Sequence, residues 1–169
     1  NGNGYSEEWT KEAERRGLHN YATAAEAIPH LVDPENVAVF EKHGIFTEVE
    51  LRCRCDIMLE TVVKTITIEA NTMCDMTRKD ILPAIRAYTD TLAEGLVRKE
   101  ALGIKDESTR ALCQRLVTLT SLISVGERAL AGAIEQAAAT PALADRAVAF
   151  SRNVRRAMAA LRVRVDECE

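Results

Sequence analysis

Cys53 and Cys55, separated by a single arginine, are the fragment of this chain closest to half of a metal site. Structural zinc takes four Cys or His ligands at tetrahedral geometry, commonly as two close pairs. On a helix, residues two apart point about 200° from each other, and no second close pair completes the set. The competing reading is two thiols packing as small apolar groups. A di-iron centre in a helical bundle would need Glu-x-x-His pairs on two helices, and the sequence has none. His19, His30 and His43 all precede the long apolar patterns, in loops or at helix ends, where His43 suits the C-terminal dipole of its helix.

Two charged groupings remain. Lys64, Glu69, Asn71, Asp75 and Lys79 make the middle of one long stretch polar. They could form a buried network, but a solvated or domain-facing side with pairs such as Glu60 to Lys64, four apart, is the favoured reading. Arg152, Arg155, Arg156, Arg162 and Arg164 concentrate positive charge near the end of the chain. A nucleic-acid contact would want interleaved aromatics or a basic partner face; pairing with acids on adjacent helices is the simpler reading. Gly-x-Gly-x-x-Gly, Walker and Gly-x-Ser-x-Gly patterns are absent, so phosphate cradles and nucleophile elbows have no candidate here. No catalytic, cofactor-binding or metal-ligating residue is assigned.

The totals fit that picture. Against 22 basic residues stand 26 acidic ones, a net charge of -4, so no global field draws nucleic acid or an anionic membrane. Five cysteines are an odd number, which suits reduced thiols and a cytoplasmic location. The longest uncharged run, Leu116 to Gly126, is far shorter than the ~20 apolar residues of a membrane span. Hydrophobic residues make up 47% but aromatics only 4%, a balance dominated by Ala, Leu, Val and Ile that favours helix-on-helix packing and an all-α class.

The elements that would position these groups follow from periodicity. Leu59, Val63, Ile66, Ala70, Cys74, Thr77, Ile81, Ala84, Tyr88 and Leu92 recur at steps of three and four, the stripe of one long helix. Thr47 and Glu50 form a capping box that starts it. Pro83 lies inside it, and the unbroken phase predicts that the helix passes through the proline with a bend, the limb before it serving a domain or subunit contact. A strip of Leu51, Cys55, Met58 and Val62 is expected to be exposed for such a contact. Thr65 to Ile68 alternates like a strand, yet its setting makes it a helix segment buried on more than one side. Leu112, Leu116, Leu119, Ile123, Gly126, Leu130, Ala133 and Ala137 give a second long helix. Thr140-Pro141 breaks it, and Leu143, Ala147, Phe150, Val154, Ala157, Leu161, Val165 and Cys168 give a third. Short connections make these antiparallel neighbours. Ser6, the Thr23–Glu26 box and Asp33-Pro34 start three short helices upstream. The expected organisation is a short-helix segment over 1–46, joining a catalytic region upstream, and a long-helix bundle over 47–169.

The ordered fragments GYSEEW, EAERRGL, FEKHGIF, EL-R-R-DI-LE, KTITIEANTM, ILPAI and AMAALRVRVDECE resemble the C-terminal helical region of type III glutamine synthetases, from about Gly4 to Glu169. Val63 departs from the pattern where an aromatic residue is expected, and the family's Trp- and Pro-containing tail would follow Glu169. The resemblance implies a parent enzyme that joins glutamate and ammonia using ATP and Mg or Mn. It also implies that the catalytic residues lie upstream of this segment, with its partners the catalytic domain of the same chain and neighbouring subunits of a homo-oligomeric ring. A free-standing helical adaptor is the alternative of a different class.

Overall fold

The computed structural model describes residue 4 and residues 6–168. Among them there is no strand, and the fold is an all-α bundle. In chain order the helices are α1 (Glu7–Arg15), α2 (Ala24–Ala27), a 3-10 turn (Ile28–Val32), α3 (Pro34–Lys42) and α4 (Glu48–Met76). A π-turn (Thr77–Ile81) leads into α5 (Leu82–Ala101), followed by α6 (Glu107–Ala138), α7 (Leu143–Ala149), a second π-turn (Phe150–Val154) and α8 (Arg155–Asp166). The chain separates into two compact units, residues 1–62 and 63–169.

In the first unit the helix ends follow local chemistry. Ser6 accepts from the Trp9 amide, and Gly17, at φ 70, closes α1 with the left-handed turn that a side chain would resist. The Thr23–Glu26 box makes both of its bonds, as does the Thr47–Glu50 box. Asp33 departs from expectation: it stands at the N-cap of α3, but its carboxylate leaves the helix amides and meets His30 Nδ1 at 2.7 Å. Ala13, Ala25, Ile28 and Val37 are buried together with Leu51, Cys55 and Leu59 of α4. Cys55 Sγ lies 3.6 Å from the Ile28 carbonyl. The strip expected to be exposed is therefore corrected at Leu51 and Cys55, which are buried, while Met58 is exposed and Val62 half-buried.

In the second unit α6 packs against α5 on one side and α8 on the other. Leu116, Leu119, Ile123, Leu130 and Ala137 of α6 are buried, as are Ala147, Phe150, Val154 and Leu161 of the last limb. Gly126 lets α8 come close, since a Cβ there would lie 3.3 Å from Leu161 Cδ1. Leu112, expected to begin the α6 seam, is exposed instead. By length and composition α6 could cross a membrane, and here its buried stripe packs against α5 and α8. The turn before α6 is held by Asp106, which accepts from Lys99 Nζ, the Thr109 amide and hydroxyl, and the Ser108 hydroxyl. These donors, Lys99 foremost, hold its carboxyl well below the usual carboxylate range. After α6, the Arg146 guanidinium donates to the carbonyls of Thr140 and Pro141 and so closes the break.

Residues 48–101 remain helical through Pro83, but not in one phase. The Leu82 amide bonds the Thr77 carbonyl five residues back, which widens the turn and inserts one residue into the register. Before it, Ile66, Ala70, Cys74 and Thr77 are buried; after it, Leu82 and Leu96 are buried, with Ile85, Thr89 and Leu92 half-buried between them. The expected continuation through Ala84 and Tyr88 is thus shifted by one residue. Tyr88 is 53% exposed. The physical reason is the proline: its ring presses on the carbonyl four residues back and lacks an amide, and a wider turn relieves both. The second unit begins at Val63, well before Pro83, so the proline does not separate two packing roles.

Candidate functional site

The groups singled out by residue type do not converge. Cys53 is exposed while Cys55 is buried, and all five cysteines are free thiols. Burial pushes the Cys55 thiol up, as suits a packing group. His43 sits at the C-cap of α3. His30 and His19 stack with Tyr21 at centroid distances of 4.2 and 5.4 Å, a cluster that spacing alone did not suggest. Among the described residues no three His, Cys, Asp or Glu side chains gather as a metal would require.

The polar middle of α4 divides. Asp75 pairs with Lys79 at 2.7 Å along the helix, and Asn71 and Asp75 line a shallow polar cleft with Arg78 and Glu135. Glu69 faces a separate groove. Arg162 and Arg164 pair with Asp166 and Glu167 on their own segment, where pairing with adjacent helices was expected. Thr65 and Ile68 are exposed and Ile66 is buried, so that stretch buries one side, not several.

One buried group escaped the reading of the sequence. Glu127, with a side chain only 8% exposed, lies inside the α6 stripe between Ile123 and Leu130. Its Oε1 lies 2.5 Å from Arg78 Nη2, in ionic contact without an aligned hydrogen bond. Arg78 belongs to the π-turn, so the pair ties that turn to α6. The Cys74 thiol beside it is pushed up, by burial first and by the Glu127 carboxylate second. Spacing held a signal: steps of four and three from Ile123 reach Glu127 and then Leu130.

On the other side of α4, a groove of about 610 Å³ opens between α4 and α8. Met73, Met76 and Met158 line it with Ile68, Thr72, Ile81 and Val165, and Glu69, Arg162 and Asp166 border it. The arrangement offers an adaptable apolar surface beside charged groups.

Residues 1–100 match the family described as the glutamine synthetase C-terminal domain. The chain belongs to that family. It is 31% identical over 174 aligned residues to a glutamine synthetase of Bacteroides fragilis, covering 99% of this chain and 24% of that protein. A Butyrivibrio fibrisolvens glutamine synthetase is 41% identical over 102 residues, covering 60% of this chain and 15% of that protein. A type-3 glutamine synthetase of Dictyostelium discoideum is 36% identical over 96 residues, covering 57% and 13%. This glutamine synthetase C-terminal domain thus spans less than a quarter of the length of each of these curated relatives.

Proposed function

We propose that this chain is a non-catalytic structural and assembly module of a type III glutamine synthetase, working in the cytoplasm. In this reading the parent enzyme ligates ammonia to glutamate with ATP and Mg or Mn, through residues outside this segment. The module packs on the catalytic domain of its own polypeptide and on neighbouring subunits of a homo-oligomeric ring. The observation that carries the reading is the alignment of nearly the whole chain with about a quarter of the Bacteroides enzyme. It is supported by the way charged side chains among the described residues are engaged: along single helices, at helix ends, and between helices as in Arg110 with Glu100 and Arg78 with Glu127.

Calorimetric titration of ATP with Mg into the chain tests the non-catalytic part. The expected result is no specific heat of binding. Saturable binding of ATP with metal would overturn it.

A further inference from the structure

We propose that the methionine-lined groove between α4 and α8 seats the catalytic part of the glutamine synthetase polypeptide, which lays an apolar helix bearing a basic residue into it. This deepens, and rests on, the module reading above. Three of the chain's four methionines, Met73, Met76 and Met158, line this one groove. Methionine is unbranched and polarisable, so a surface built of it moulds to the aliphatic side chains of a docking helix. Ile68, 67% exposed, and Met76, 52% exposed, stand along its α4 wall with Thr72 between them and no charge on that line. Apolar groups gathered in one exposed patch with charges at its rim mark contact surfaces.

The occupant follows from two further observations. Nearly the whole chain aligns with only 24% of the Bacteroides enzyme, so in such an enzyme about three quarters of the polypeptide lies outside the module and must meet it. Leu51 and Cys55, also on α4, are already buried, Cys55 against Ile28 of the first unit. The charge at the rim then sets the chemistry of the partner. Arg162 is held by Asp166 at 2.6 Å, whereas Glu69 makes no ion pair among the described residues and is left to attract a cation.

Methionine oxidation by dilute hydrogen peroxide, mapped by peptide mass spectrometry, tests this on the chain alone and on the complete ligase polypeptide that carries it. In the chain alone, exposed Met76 is expected to oxidise readily and half-buried Met73 and Met158 more slowly, and all three several-fold more slowly still in the complete enzyme. Ile68→Glu in the complete enzyme is expected to restore their oxidation while leaving the helical content of the chain alone unchanged. Equal oxidation in both forms, in a preparation that makes glutamine, overturns the groove assignment and leaves the module reading standing. A complete polypeptide without ligase activity overturns the module reading and this proposal with it. A chain that dimerises by itself with the three methionines protected assigns the groove to a second copy and overturns the proposal.

Discussion

Arg78 of the π-turn and Glu127 of α6 meet at 2.5 Å, with Glu127 almost wholly buried and Arg78 half exposed. Removing one partner of a buried pair leaves an uncompensated charge, at a cost of 3–5 kcal/mol when both ions are buried. Because water reaches Arg78, we expect about 2 kcal/mol for Arg78→Ala. The double variant Arg78→Met with Glu127→Leu should recover most of it, since an apolar pair of similar volume satisfies the same site. Urea unfolding of the three proteins measures both effects. A double variant no more stable than Arg78→Ala would mean that the pair acts through more than its charge.

The π-turn and Pro83 should be coupled. Deleting Lys79, which is exposed, takes out the extra residue and returns the turn to α geometry, with Thr77 and Leu82 still facing the core. It also returns the proline ring to a tight turn, so the deletion should destabilise by about 3 kcal/mol. Combining it with Pro83→Ala should remove most of that cost. Deleting exposed Ser121 from α6, by contrast, throws half of a buried stripe out of phase, and no single substitution should rescue it. Thermal unfolding of the set tests this. Equal damage from the Lys79 deletion with and without Pro83→Ala would contradict the coupling.

Asp106 gives the α5–α6 turn a pH dependence. Its folded carboxyl is held below the ordinary value by Lys99 first, then by the Thr109 amide and hydroxyl and by Ser108. A carboxyl lowered on folding contributes stability above its unfolded pKa of about 3.9 and loses it as the pH falls toward the folded value. Stability should therefore decline more steeply below about pH 4 in the native chain than in Asp106→Asn. Parallel acid limbs for the two proteins would refute this.

Features set by neighbours in sequence could be read from it. The Thr23–Glu26 and Thr47–Glu50 boxes, the stop at Gly17 and the stripe through Ala147, Phe150, Val154 and Leu161 of the last limb depend on local spacing. What could not be read was decided by competition. Two apolar rows run side by side along α5, Ala84 with Tyr88 and Leu82 with Ile85, and only the π-turn before Pro83 chooses between them. Asp33 had a helix end and a histidine within reach and took the histidine. Glu127 occupies an apolar phase, and its burial depends on an arginine 49 positions away in the chain. The exposed strip foreseen on α4 failed at Leu51 and Cys55, which are buried, Cys55 against Ile28, and held at Met58. The family fragments spoke to ancestry throughout, and they placed no catalytic residue on this segment.

On the proposed reading the chemistry lies outside these 169 residues. The most direct test of that reading is ATP- and ammonia-dependent conversion of glutamate to glutamine, with Mg or Mn present, measured on the chain alone and on the polypeptide in which a catalytic region accompanies it. No turnover is expected from the chain alone, and turnover is expected from the longer polypeptide. Glutamine formed by the chain alone, or none formed by the longer polypeptide, would contradict the reading.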